Sequence, residues 1–202
     1  MNERYVELHC HSCFSLLDGA ATPEALLEQA LALDMPALAL TDHNGLYAAI
    51  RFYLAAKERG LAPLVGAELT LQGDESFPAD SHLLLLAENK RGYRNLCWLI
   101  SRAQLQGSKG RPRLSLQQMA GHTAGLIALT GCRRGRVAAS LLAGDPRRAL
   151  ACLQALKALF GPQGVYVELQ QHLHAGEAAL VEQLAALARA TRLPMVATNN
   201  AH

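Results

Sequence analysis

The stretch Tyr5-Val6-Glu7-Leu8-His9-Cys10-His11-Ser12 decides how the rest of the chain is read. It begins as a short strand candidate, Tyr5 to Cys10, and runs into two histidines one residue apart. Side chains alternate between faces along a strand, so His9 and His11 point the same way and can grip one metal ion, while Cys10 points the other way. What matters next is how the neighbouring strands end.

Outward from this stretch, short apolar runs alternate with longer amphipathic ones, the pattern of βα units around a mostly parallel sheet. Strands are expected at Tyr5–Cys10, Ala37–Thr41, Pro63–Leu71, His82–Ala87, Gly125–Thr130, Val165–Gln170 and Pro194–Thr198. Helices are expected at Pro23–Leu33, with Thr22 as N-cap, and at Leu46–Arg59, closed by Gly60. Further helices are read at Arg91–Gln106, Arg136–Leu142, Pro146–Phe160 and Glu177–Thr191, with a Gly- and Pro-containing loop over Gln106–Leu114. No repeat, low-complexity tract or linker divides the chain. The expected fold is therefore one α/β unit, a distorted (β/α)7 TIM-like barrel.

In β/α barrels the ligands come from the C-terminal ends of the strands and the loops that follow. Here those ends read Thr41-Asp42-His43, Gly66-Ala67-Glu68, Thr130-Gly131-Cys132, Gln170-Gln171-His172 and Asn199-Asn200-Ala201-His202. Imidazoles, carboxylates and a thiol converging on one rim suit zinc, manganese or iron better than calcium. His82 opens its strand, and by the same rule belongs at the wrong end of the barrel. Asp18, in Leu16-Leu17-Asp18-Gly19, reads on its own as a turn residue.

Composition sets the outer limits. Of 202 residues half are hydrophobic and 18% charged, so the chain is globular, and no apolar run is long enough to span a bilayer. Met1-Asn2-Glu3-Arg4-Tyr5 opens no signal peptide, and a cytoplasmic location with no membrane partner is expected. A net charge of +2 neither demands nor excludes nucleic acid. Five scattered cysteines argue against a disulfide framework: Cys97 and Cys152 read as core residues, and the Cys10/Cys13 pair has no second pair to complete a zinc knuckle.

Several of these segments, in order, carry a resemblance. Glu7–Ser12, Ala39-Leu40-Thr41-Asp42-His43 and Val65-Gly66-Ala67-Glu68 resemble the PHP (polymerase and histidinol phosphatase) domain that opens the α subunit of bacterial C-family DNA polymerases, the DNA polymerase III type. So do Leu83–Asn89 with Gly92-Tyr93-Arg94-Asn95-Leu96, then Phe160-Gly161, then Val196-Ala197-Thr198-Asn199. Amidohydrolases share the opening His-x-His, but the later motifs look like the polymerase type. The resemblance implies metal ligands at His9, His11, Asp18, His43, Glu68, His82, Cys132 and His202, and so restores His82 to the site. It implies up to three divalent ions (zinc, manganese, iron or magnesium), with Asp42, His43 and Glu68 at the chemistry and Asp42 in a supporting place. The reaction implied is phosphoester hydrolysis by a metal-activated water, as a 3′ to 5′ exonuclease or a phosphatase.

One position departs from the family pattern. Members with a full site usually carry Asp-x-His where this chain has Asn200-Ala201-His202. The Asn200 oxygen can coordinate but brings no charge, so one or two ions should bind more weakly. His172 and His174, near the same rim, read as polar loop residues with the option of compensating. The alternative is a weakened PHP module with a structural role, contacting the other polymerase domains or a proofreading exonuclease subunit. A free-standing small-molecule phosphatase is a third reading, which the polymerase-like motifs oppose. Arg133, Arg134 and Arg136 start a helix and form a candidate phosphate- or DNA-binding cluster; Lys109, Arg111 and Arg113 form a second basic group. With no polymerase carboxylates in view, the chain is expected to be the N-terminal part of a longer polymerase.

Overall fold

The computed structural model describes residues 4–74, 77 and 80–202. In chain order the elements are α1 (Pro23–Ala32), β1 (Ala37–Leu40), α2 (Ala49–Glu58), β2 (Ala62–Leu71), β3 (Ser81–Ala87) and α3 (Lys90–Gln106). After a short 3-10 turn at Gln117–Met119 come β4 (Leu126–Leu129), α4 (Arg136–Leu142), α5 (Pro146–Phe160), β5 (Val165–Leu169), α6 (Glu177–Thr191) and β6 (Met195–Ala197). Thr22 caps α1 through its side-chain oxygen, and Gly60 follows α2 at φ 74°. Met1–Glu3, where no leader is expected, lie outside the described residues.

The strands hydrogen-bond in chain order, β1-β2-β3-β4-β5-β6. The seventh position, expected as a strand over Tyr5–Cys10, is an extended segment that pairs through single bridges, Glu7 with Leu38 and Cys10 with Ala201. Its backbone bonds β1 on one side (Ala39 N to Glu7 O, 2.9 Å) and the chain after β6 on the other (His11 N to Ala201 O, 2.8 Å). It thus closes the sheet without forming a regular ladder. The cause is local: the Glu7 carboxylate accepts from His9 N at 2.9 Å and Thr41 Oγ1 accepts from Cys10 N at 2.9 Å, so side chains take donors a ladder would use.

One expectation about direction is overturned. β3 runs antiparallel to both β2 and β4, whereas the other pairings are parallel. Residues 72–80 are too few for a crossover helix, which takes about a dozen residues, so the chain returns as a hairpin. His82, paired with Thr70, therefore starts its strand at the same barrel end as Glu68. The rule that placed it at the wrong end assumed a parallel strand.

Strand parity fills the interior. Leu64, Leu84, Ile127, Leu129, Tyr166, Val196 and Leu8 form one apolar cluster, drawn from nearly every strand position. On the same faces, two residues from Leu84, Tyr166 and Val196 and four from Leu64, come His82, Glu168, Thr198 and Glu68, all buried. The barrel is thus apolar below and polar above. Outside it, α3, α5 and α6 pack Leu99, Leu153 and Leu184 against Leu69, Leu85 and Val167, and α1 and α2 pack Leu27 and Phe52 around Leu38 and Cys10.

Candidate metal centre

Glu68 is the hub of the polar layer and is 1% exposed. Its Oε2 lies 3.0 Å from His82 Nδ1, 3.1 Å from His43 Nδ1 and 3.6 Å from His11 Nε2. Its Oε1 lies 3.4 Å from His9 Nε2 and 3.7 Å from the Cys132 thiol, which is also 3.8 Å from His82 Nδ1. Three overlapping groups have ligand atoms close enough to share an ion: His9, His11 and Glu68; His43, Glu68 and His82; and His11, Asp18 and His43. Asp18 Oδ2 sits 2.6 Å from His43 Nε2 and 3.5 Å from His202 Nδ1, and the His11 ring stacks on those of His43 and His202. The loop bearing Asp18 passes so close to Ser12 that a Cβ on Gly19 would meet the Ser12 carbonyl oxygen at 2.1 Å.

The hydrogen bonds around the two deepest histidines fix where their lone pairs point. His9 Nδ1 is 2.7 Å from Glu168 Oε1, so Nδ1 carries the proton and Nε2 faces Glu68 as an acceptor. Ser15 Oγ donates to Asp42 and therefore accepts from His11 Nδ1 at 3.1 Å, leaving His11 Nε2 as the lone pair. Both Nε2 atoms are buried without a hydrogen-bond partner among the described residues. An unpaired buried acceptor costs about 1–3 kcal/mol, and acceptors facing a carboxylate call for a cation between them. These donors therefore fit a divalent metal.

The electrostatics agree. Burial opposes a charged His9, but Glu168, by charge and hydrogen bond, and then Glu68 outweigh it and raise the imidazole to about 10; without metal, the cation in this gap is a proton. At His11 burial, aided by His43, His9 and His202 and opposed by Glu68, lowers the pKa to about 3, which leaves a neutral ligand. Burial works against an ionised Glu68, yet hydrogen bonds from His82 and His9 hold it well below the usual carboxylate range. The Cys132 thiol is raised to about 12 by burial and by Glu68. A coordinated metal ion reverses that effect and deprotonates a thiol outright.

Asp42 stands behind the ligands. Its carboxylate accepts from Ser12 N (2.7 Å), Ser12 Oγ (2.8 Å) and Ser15 Oγ (2.7 Å), and Ser15 Oγ also accepts from His43 N (3.1 Å). Through Ser15 the carboxylate is linked to the His11 ring and the His43 backbone. Two further buried carboxylates were missed by reading strand ends alone. Glu168 holds His9 together with Gln170 and Thr198, and Glu7 accepts from His9 N and Asn199 N. The inward parity of Tyr166 and Glu168 in an otherwise apolar strand is the signal that finds the first.

The remaining expectations divide. Asn200 has φ 49° and a buried Oδ1 with no hydrogen-bond partner among the described residues. It adjoins Ala201, which bonds the backbones of His9 and His11. His172 spends Nε2 on the Asn199 carbonyl at 2.7 Å, and Glu177 accepts from the backbone of both His172 and His174, so neither joins the ligand groups. Arg133 and Arg134 are exposed beside Cys132. Arg136 is not available to phosphate: it is 9% exposed and donates to Asp74 (2.6 Å), the Gln72 carbonyl (2.7 Å) and Ser81 Oγ (3.1 Å). Helix α4 turns it inward, where it ties down the β2–β3 connection. Lys109, Arg111 and Arg113 are exposed at a turn.

The model of the PHP domain family matches residues 7–172. The chain belongs to the PHP family. It is 43% identical over 204 residues to the error-prone DNA polymerase of Mycolicibacterium paratuberculosis, covering 98% of this chain and 19% of that protein. It is 35% identical over 206 residues to the DNA polymerase III subunit alpha of Treponema pallidum, covering 98% and 18%. The PHP chain therefore spans about a fifth of the length of these curated relatives. Among solved structures, one from Bifidobacterium adolescentis, described as a "putative metal-dependent phosphoesterase", superposes with a TM-score of 0.67 at 16% identity, over 98% of this chain and 88% of that one. At that identity the likeness speaks for the PHP fold. Among the described residues no helix is long and apolar enough to cross a membrane.

Proposed function

We propose that this PHP domain is a metal-dependent phosphoesterase within a bacterial polymerase of the error-prone or DNA polymerase III α type, acting in the cytoplasm on the 3′ ends of DNA. The observation that carries the reading is the pair of buried, unpartnered Nε2 atoms of His9 and His11 facing Glu68. His9, His11, His82, Cys132 and Glu68 would hold metal in the floor of the site; Asp18, His43, Asn200 and His202 would hold it at the rim. When bound, zinc, manganese, iron or magnesium supplies Lewis-acid charge and lowers the pKa of a coordinated water to about 7.

The chain's own residues account for the rest. Glu168 and the Asp42–Ser15 pair keep the imidazole lone pairs aimed inward, so no side chain has to reorganise as charge develops on a phosphoryl group. His43 and Asp18 are partly exposed and form the face a substrate would meet. Their 2.6 Å contact lets Asp18 orient the His43 ring. Arg133, 3.6 Å from Glu177, and Arg134 are exposed next to Cys132 and would be the cations to meet a phosphate. The second reading, a weakened domain kept for contact with other polymerase domains or a proofreading subunit, rests on Asn200, which removes a carboxylate from the rim.

The test is zinc- or manganese-dependent release of nucleotides from a 3′-labelled oligonucleotide, comparing the parent with His9→Ala. Loss of release in the variant supports the enzyme. Equal background release by both, with or without metal, leaves the structural reading.

A further inference from the structure

The net charge of +2 conceals a division along the chain. Residues 89–144 hold ten of the nineteen Lys and Arg and none of the seventeen Asp and Glu, which leaves the rest of the chain acidic. Local clustering of this kind, rather than the total, is what attracts a polyanion. Within the segment Lys109, Arg111 and Arg113 are all exposed. Arg4, Arg51, Arg133, Arg136 and Arg148 each lie beside a carboxylate, but among the described residues these three side chains meet none and make no hydrogen bond. The turn that carries them is nevertheless pinned. Ser108 and Arg111 exchange backbone hydrogen bonds of 2.8 and 3.2 Å, Arg113 N donates to Ala103 O at 2.9 Å, and Leu114 is buried. Gly107 permits the close return: a Cβ there would meet the Arg111 carbonyl oxygen at 2.1 Å.

Both anchors of the turn lie at the metal end of the barrel. Gln104 Nε2 donates to Asn44 O at 3.0 Å, next to His43, and Gln72 N donates to Leu114 O at 2.9 Å, just past the end of β2. Gln72 O accepts in turn from Arg136 Nη2 at 2.7 Å, so the two basic groups flank the β2–β3 connection on one side of the mouth. We propose that the turn at Lys109, Arg111 and Arg113 grips the phosphate backbone of a single DNA strand whose end enters the metal centre. Arginine matches phosphate through its planar fork, and a turn already fixed gives up little backbone freedom on binding. His9, His11 and Glu68 lie at 0–1% exposure below this rim, so the end that reaches them is unpaired. The inference deepens the reading of the site as one for DNA ends, but strand binding needs no turnover, and either can fail alone.

Fluorescence anisotropy of a labelled oligothymidylate of about twelve nucleotides, with the full chain in chelator so that nothing is hydrolysed, tests binding by itself. Lys109→Ser, Arg111→Ser and Arg113→Ser together should weaken binding about tenfold or more in roughly 50 mM salt. They should also flatten the slope of log affinity against log salt by about 2, three lost contacts at about 0.7 each. Removing equal charge from the start of α3, at the far end of the barrel, through Lys90→Ser, Arg91→Ser and Arg94→Ser should leave both quantities close to those of the parent. Equal losses in the two variants would assign the attraction to net charge, and equal binding of an acidic peptide of the same charge would assign the turn to a protein partner. Either result, an unchanged affinity in the first variant, or a parent that does not bind the strand would overturn the proposal.

Discussion

The floor and the rim of the metal centre are held in different ways. His9, His11, Glu68 and Glu168 are all 0–1% exposed and stand on extended elements whose parity aims them inward. Asp18, His43 and His202 stand on loops, with side chains 45%, 22% and 33% exposed. Each rim ligand also lies within two residues of a non-glycine residue in the left-handed region: Leu17 (φ 67°), Asn44 (φ 51°) and Asn200 (φ 49°). Asparagine tolerates that conformation, whereas for leucine it costs about 1–2 kcal/mol. A floor set by strand geometry is ready before any ion arrives; a rim set by strained loops is the part that evolution or a ligand can adjust.

The largest effect should come from breaking the floor. Glu68→Gln removes the carboxylate charge shared by its four imidazole neighbours, and metal affinity should fall more than about 100-fold, beyond the range seen for residues that merely orient a ligand. A competition titration with a zinc indicator measures this, and a loss confined to a few-fold would show that Glu68 is not the hub. Glu168→Gln leaves every ligand atom in place and should weaken binding by about 10–100-fold, because the His9 tautomer is no longer fixed by a charged acceptor.

A pH dependence follows from the same pair. His9 in the metal-free protein titrates near 10, so below that value metal must displace a proton there. Affinity should therefore rise with pH from 7 towards about 10. Calorimetry in buffers of different ionisation enthalpy should detect the released proton at pH 8; no release would mean that His9 is neutral before metal binds.

The rim responds more gently. Asn200→Asp restores a charge and should tighten the weaker ion by roughly tenfold, on the scale of one added interaction of about 1.4 kcal/mol, without altering the tighter one. Equal tightening of both would merge floor and rim into one unit. The smallest effect is expected at Leu17, fully exposed with positive φ. Leu17→Gly should raise stability by about 0.5–1 kcal/mol in urea denaturation, by relieving that strain, and a loss of stability would show that the leucine side chain is held by contacts.

Much of this was legible in the sequence, for identifiable reasons. Helices α4, α5 and α6 match their expected bounds, Arg136–Leu142, Pro146–Phe160 and Glu177–Thr191, because Gly, Asp-Pro and Gly-Pro boundaries leave little freedom. His9, His11, His43 and Glu68 followed from strand ends and parity. His82 did not, because strand direction is set by the length of the connection from residue 72 to 80, which the alternating pattern obscured. Cys132 and His202 stand in the strand-end reading, Cys132 leaning more heavily on resemblance, whereas Asp18 rests on resemblance because a loop brings it in and loop paths carry no periodicity. Glu7 and Glu168 were passed over as strand interior. Arg136 was read by its neighbours Arg133 and Arg134, although it lies on the buried side of α4.

The central claim, that this layer of buried lone pairs is a metal site, is tested most directly by counting ions. The full chain would be stripped with chelator, dialysed against micromolar zinc or manganese, and assayed by inductively coupled plasma mass spectrometry beside His9→Ala and Asp18→Asn. The account predicts at least one ion retained per polypeptide in the parent and in Asp18→Asn, and its loss in His9→Ala. A parent that retains no stoichiometric ion, or a His9→Ala variant that retains as much as the parent, would contradict it.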